Sequence, residues 1–197
     1  RADLAAAARS DNAPMIDYLV DATDTHAHLF RVTLKLPRPA TLQRVSLPVW
    51  IPGSYMVREF SPHLSQLQAR QGRREVALQQ IDKATWQAAC SGGAALTLSY
   101  LVYAFDTSVR TAFLDASRGF FNGTSLCLRV EGRDSEPHRL TIGALPRAWS
   151  LATAMPADGR RSFIAAGYEE LVDHPFEFGR FWRGAFEAGG VAHEFVV

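Results

Sequence analysis

The chain has 197 residues, 47% of them hydrophobic, with 21 Lys plus Arg against 20 Asp plus Glu and a formal net charge of +1. Such a chain can bury a sizeable core as one large domain or two small ones, which excludes global disorder. The even charge balance excludes a general electrostatic nucleic-acid binder, which needs a basic face.

The opening run RADLAAAARSDNAP is Ala-rich but charged, and it lacks the apolar stretch of a secretion signal. Residues 1–14 therefore read as a flexible leader. Residues 15–22 and 27–36 are strands, split by Asp24-Thr25-His26. In the second, Leu29, Arg31, Thr33 and Lys35 oppose Phe30, Val32, Leu34 and Leu36, the pattern of a half-buried strand. Pro37-Arg38-Pro39 stops it. Residues 42–50 form the next strand, ended by Pro52-Gly53, where Pro presets φ and Gly permits a positive one. Residues 63–71 and 75–83 flank Gly72 as a hairpin whose solvated surface carries Arg70, Arg73 and Arg74.

A long apolar strand at 94–105 follows Gly92-Gly93, and strands at 125–130, 139–142, 149–154 and 162–166 continue the series. Residues 168–172 form a helical turn, and 181–186 with 191–197 make a last hairpin around Gly189-Gly190. Many short strands at regular spacing predict an all-β, mainly antiparallel fold of curved or sandwich-like sheets, with one short helical turn near 168–173. No internal repeat or low-complexity linker divides residues 15–197, which read as a single domain. The last strand runs up to Val197, which leads to the expectation of a piece of a longer protein.

Cys90 and Cys127 are too few for a disulfide scaffold and read as buried free thiols. No window approaches ~18 uninterrupted apolar residues, so no transmembrane helix is expected. The low cysteine count and the lack of a signal lead to the expectation of a cytoplasmic protein.

The stretch FDTSVRTAFLDASRGFFNGTSLCL, residues 105–128, departs from ordinary strand patterning. It places Asp106, Arg110, Asp115 and Arg118 among Phe105, Phe113, Phe120 and Phe121. Charge inside an aromatic β region is costly unless paired or used. The segment is either a structural cluster, with the aspartates facing Arg110 or Arg118, or part of a binding wall.

Catalytic and metal motifs are missing. His26-x-His28 reads as two solvated turn histidines. His193-Glu194 lacks the second His of a zinc-peptidase helix, because Val197 stands at that position and VAHEFVV is β-like. No nucleophile elbow, phosphate loop or dinucleotide fingerprint occurs. Glu169, Glu170 and Asp173 read as a solvated helix face. Asn122-Gly123-Thr124 matches a glycosylation pattern without the secretory context that pattern needs.

Three motifs carry a resemblance. They are LPVWIPGSYMVREF at 47–60, the run 103–128, and YEELVDHPFEFG at 168–179. Together, and in order across about residues 15–197, they resemble the N-terminal region of the glycyl aminopeptidase family of zinc metallopeptidases, metallopeptidase family sixty-one. The resemblance implies a non-catalytic N-terminal β domain, followed in the family by a thermolysin-like catalytic domain that holds the zinc. It implies no catalytic and no metal-ligating residue in this chain. The partners it implies are that C-terminal catalytic domain and, through it, a peptide substrate, with neither nucleic acid nor membrane. An exposed face awaiting the missing domain also leads to the expectation of self-association of the isolated chain.

On this reading, Asp115 and Asn122 are candidate acceptors in a substrate-cleft wall, and Arg118 is a candidate partner for a carboxylate across the domain boundary. Arg110 and Tyr55 are further cleft or interdomain candidates. The alternatives are a free-standing β-sandwich that binds peptide or carbohydrate through WIPGSY and RGFFNGT, and a small hydrolase with an unrecognised site.

Overall fold

Alternating burial builds the largest sheet. In a computed structural model, which describes residues 15–51 and 54–197, β1 (Ile16–Asp24) pairs antiparallel with β2 (Leu29–Leu36). The readings for the leader and for Pro52-Gly53 lie outside the described residues. β3 (Leu42–Ser46) follows, then a short 3-10 turn (Ser61–His63), β4 (Leu64–Gln71), β5 (Arg74–Val76), β6 (Leu78–Gln80), β7 (Thr85–Ala89) and β8 (Leu96–Tyr103). Next come β9 (Ala112–Leu114), β10 (Arg118–Phe121), α1 (Gly123–Leu126), β11 (Arg129–Val130) and β12 (His138–Ile142). The chain continues through β13 (Ser150–Ala152), β14 (Ser162–Ala165), α2 (Tyr168–Asp173), β15 (Phe176–Gly179), β16 (Arg183–Ala188) and β17 (Val191–Val196).

A seven-stranded sheet runs β14-β12-β1-β2-β8-β4-β5, with only β1 and β12 parallel. Its inner face carries Ile16, Tyr18 and Val20 of β1, Phe30, Val32, Leu34 and Leu36 of β2, and Leu96, Leu98, Tyr100 and Val102 of β8, all buried. Two four-stranded sheets, β13-β15-β10-β9 and β11-β3-β7-β6, supply the facing side chains. Phe30 meets Phe121 with ring centroids 5.8 Å apart, and Phe121 stacks on Phe176 at 4.9 Å. The all-β, mainly antiparallel, sandwich-like fold expected from the sequence is therefore present, and α2 falls on the expected helical turn.

β9, β10 and β15 are strands that the sequence reading does not place, and three segments it reads as strands differ. Residues 42–50 leave the sheet after Ser46, where Leu47 still donates to the Ala84 carbonyl but Pro48 has no N–H to give. Residues 75–83 split at Ala77, because Val76 pairs with Ala69 in the large sheet while Leu78 pairs with Ala88 in a small one. Residues 125–130 form the end of α1 and only a two-residue strand.

The last difference has a specific cause. Three buried tyrosines take three successive carbonyls at the end of α1. Tyr100 donates to the Leu126 carbonyl at 2.6 Å, Tyr168 to Cys127 at 2.7 Å and Tyr18 to Leu128 at 2.7 Å. Leu128 N–H donates back to the Tyr100 hydroxyl at 3.2 Å. Side chains from β1, β8 and α2 thus replace a sheet ladder. Both cysteines are buried and free, as expected, and burial pushes the Cys127 thiol far up.

Burial also pushes the phenols of Tyr18, Tyr100 and Tyr168 well above the ordinary tyrosine range. The folded state holds these protons while the unfolded chain releases them near pH 10. Their contribution to stability is complete below about pH 10 and is lost as pH rises toward the folded pKa values, by about 1.4 kcal/mol per pH unit per tyrosine. Urea unfolding between pH 9 and 11.5 should show this steep alkaline loss, to which the buried Cys127 thiol adds, and Tyr100→Phe should lower the slope above pH 10 by about 1.4 kcal/mol per pH unit. The same substitution should cost about 1–3 kcal/mol at pH 7, since it strips the buried Leu126 carbonyl of its donor. An unchanged slope contradicts the clamp.

Candidate functional site

The tyrosine clamp fixes one end of the 122–128 segment, and close helix packing fixes the other. A Cβ on Gly123 would lie 2.9 Å from Val172 Cα and 3.0 Å from the Leu171 carbonyl oxygen, so only glycine lets α1 touch α2 this closely. Asn122, just before α1, is held by its own backbone: its N–H donates to the Thr111 carbonyl at 3.0 Å, and its carbonyl accepts from Ser125 N–H at 2.9 Å and Ser125 Oγ at 2.8 Å. Its side-chain amide donates to the Val109 carbonyl at 3.3 Å. The amide oxygen takes no hydrogen bond from the described residues.

Asn122 borders a cleft of about 640 Å³ with Val109, Arg110, Glu169, Glu170 and Asp173. The carboxylates read from the sequence as a solvated face therefore share a concavity with two candidate residues. Glu169 and Asp173 stand one helical turn apart on α2, a spacing that places them on one face and is legible in the sequence. Glu170 accepts the Ala166 N–H at 2.6 Å. Arg110 is exposed and in no ion pair among the described residues.

A neighbouring cleft of about 570 Å³ shares Glu169 and Val172 with the first and is bordered by Trp50, Thr124 and Tyr168. Thr124 is buried and its hydroxyl has no partner among the described residues. The loop after β3 closes on itself: Trp50 donates its indole N–H to the Ser54 carbonyl at 2.9 Å, and Arg58 N–H donates to the Val49 carbonyl at 2.7 Å. That closure presents Trp50, Tyr55, Met56 and Val57 outward. These four and Val109 are each more than half exposed, and Tyr55 is fully so.

Asp115 and Arg118 stand elsewhere, at the turn joining β9 to β10. Neither Asp106 nor Asp115 forms the expected ion pair with an arginine. Each closes a local turn instead: Asp106 accepts Ser108 N–H at 2.7 Å, and Asp115 accepts Ser117 N–H at 2.7 Å, Ser117 Oγ at 2.7 Å and Arg118 N–H at 2.9 Å. Burial raises the Asp115 pKa, but these hydrogen bonds outweigh it and hold the carboxyl below its usual range. The Asp-x-Ser spacing at 106–108 and 115–117 carried that signal. Arg118 lies over the Phe113 ring at 4.8 Å and pairs with Glu177 at 3.4 Å, a half-exposed bridge of small energetic weight. Burial still lifts Glu177, and the Arg118 charge offsets this only in part. The five candidates thus fall into three places: Asn122 with Arg110 in the cleft, Tyr55 on the exposed loop after β3, and Asp115 with Arg118 at the opposite end of a short hairpin.

The remaining histidines hold no common centre. His26 is exposed, while the His28 ring contacts the Leu114 carbonyl at 2.5 Å and lies 3.9 Å from the Phe105 ring. His193 sits on an exposed strand surface, as expected. Among the described residues no group of three or more His, Cys, Asp or Glu could hold a metal ion.

Comparison with known proteins gives a family. The sequence matches the peptidase M61 N-terminal domain over residues 17–180. An aminopeptidase N family protein from Idiomarina loihiensis superposes with a TM-score of 0.89 at 42% identity, covering 92% of this chain and 32% of that one. The chain therefore spans about a third of that protein's length. A variant M1 zinc metallopeptidase from Deinococcus radiodurans, bound to a Tyr-Ser-Ala substrate, superposes with a TM-score of 0.53 at 11% identity over 93% of this chain and 46% of that one. Legionella pneumophila aminopeptidase A, in complex with aspartic acid, does so with 0.52 at 6% identity over 93% and 23%. These two distant likenesses show the fold. No curated protein sequence matches significantly.

The helix contact that builds the cleft is testable by itself. Gly123→Ala should destabilise the chain by about 1–3 kcal/mol in urea unfolding, because the backbone of α2 must move to admit the methyl group. A loss below about 0.5 kcal/mol would show that α1 and α2 are not held in this contact.

Proposed function

Because the chain belongs to the peptidase M61 N-terminal domain family, we propose that it is the non-catalytic front domain of a zinc-dependent aminopeptidase that removes N-terminal glycine. The observation that carries the role is the cleft around Asn122. An amide oxygen with no donor among the described residues and three carboxylates stand in one concavity, with the exposed Val109 and Ile51 of the loop after β3 at its rim. The rim docks on the catalytic domain, and the cleft closes the end of the substrate groove.

An exopeptidase needs a blocked groove end and an acceptor for the substrate's ammonium group. Asn122 supplies the acceptor at its side-chain oxygen. Glu169, Glu170 and Asp173 supply negative potential that draws the ammonium in. Arg110, exposed at the same cleft, pairs with a carboxylate of the catalytic domain, and Tyr55 packs on it. Arg118 and Asp115 shape the β9–β10 turn that carries the cleft wall.

The described residues do not fit a zinc ion, so no step through a metal is derived for this chain. In the proposal zinc belongs to the following domain, where it polarises the scissile carbonyl and lowers the pKa of a bound water. This chain orients the peptide's free end.

Asn122→Ala in the longer gene product should lower kcat/KM on a Gly-initiated peptide roughly 10- to 100-fold, the worth of one hydrogen bond to a charged group. Unfolding of the variant should match the parent. Unchanged kcat/KM would remove Asn122 from the site. The 197-residue chain alone, with zinc added, should not hydrolyse Gly-p-nitroanilide, and metal-dependent turnover by it would overturn the non-catalytic assignment.

A further inference from the structure

Residues 181–197 stand apart from the rest of the fold. β16 and β17 pair only with each other, while the other sheets hold four or seven strands. The family match ends at residue 180, immediately before this hairpin. Trp182 and Val197 extend its ladder through reciprocal backbone hydrogen bonds of 2.9 and 3.1 Å.

Strand alternation sorts the side chains onto two faces. One face carries Arg183, Ala185, Glu187, Ala192, Glu194 and Val196. It turns toward the body: Arg183 pairs with Glu194 and donates to the Leu151 carbonyl, and Glu194 and Val196 share a cleft with Arg118 and Glu177. The other face carries Trp182, Phe186, Val191, Phe195 and Val197, exposed by between 55% and 74%, together with His193, which stacks on Phe186 at 5.0 Å; His193 and Val197 also reach the edge of that cleft. A finished surface hairpin does the reverse and turns its apolar face inward. A lone two-stranded hairpin is also marginal in water. Five large apolar side chains on one free face mark a surface that something covers.

We propose that the 181–197 hairpin is the first element of the domain that follows in the longer polypeptide, and that its Trp182, Phe186, Val191, Phe195 and Val197 face is one wall of that domain's core. The inference rests on the reading of this chain as the front of a longer peptidase. The position of the hairpin beyond the family match supports it, as does the 42% identical Idiomarina protein, of which this chain covers only 32%. A covalently attached domain covers such a face without the protein concentration that a second copy would need, because its effective concentration is already high.

Hydrogen exchange read by mass spectrometry tests this on the 197-residue chain and on the longer gene product. Amides 184–196 should exchange fast in the shorter chain at any protein concentration and roughly 100-fold more slowly in the longer one. A Phe186→Ser and Phe195→Ser double variant should lower the Tm of the longer product's downstream part and leave the unfolding midpoint of the 197-residue chain unchanged. Equal exchange in both proteins, protection that grows with concentration of the shorter chain, or a reading frame that ends at codon 197 would each overturn the inference. Peptidase activity is scored separately. An inactive longer product with a protected hairpin upholds the inference and fails the proposed function; an active one with an unprotected hairpin does the opposite.

Discussion

Three phenol hydroxyls on three consecutive carbonyls hold this fold to its functional face. Tyr18 and Tyr100 stand on the large sheet and Tyr168 on α2, and all three converge on residues 126–128. Without them, three buried carbonyls would lose their donors, at about 1–3 kcal/mol each. The clamp leaves the preceding residues no freedom: α1 is drawn against α2 at Gly123, and Asn122 is set at the mouth of the cleft. The position of the acidic side chains relative to Asn122 follows from the same three bonds, because Tyr168 begins the helix that carries them.

Much of this was legible in the sequence where the pattern is local. The alternation of residues 29–36, the helical turn at 168–172 and the Gly189-Gly190 hairpin all follow from neighbours within a few residues. The clamp was not legible, because its partners lie 26 to 110 residues away along the chain. A short apolar run such as 125–130 is compatible with strand or helix, and only those distant hydroxyls decide it. The charges at 105–118 drew attention through their number, yet their turns were signalled by the Asp-x-Ser spacing alone. The acidic residues of α2 looked like a solvated face because periodicity says which side of a helix they occupy and not what that side meets.

Two exposed apolar surfaces result, and they differ in kind. Val109 edges a polar cleft that the loop after β3 reaches at Ile51, and the same loop exposes Trp50, Tyr55, Met56 and Val57. The face of the 181–197 hairpin carries one histidine among five large apolar side chains and resembles half of a core. The proposed role as a front domain would use both: a covalent continuation that joins the neighbour's interior, and a contact edge that frames a shared groove. The buried hydrogen bonds lie in the clamp, while Arg110 forms no ion pair among the described residues.

Site-specific cross-linking tests the central claim, that the cleft and the exposed loop after β3 face the proposed catalytic domain. A photo-activated cross-linker at Val57 of the longer gene product, digested and read by mass spectrometry, should join this position to residues downstream of 197 in the same polypeptide. Cross-links only to a second copy, or none above the level of a control at the solvated Arg73, would contradict it.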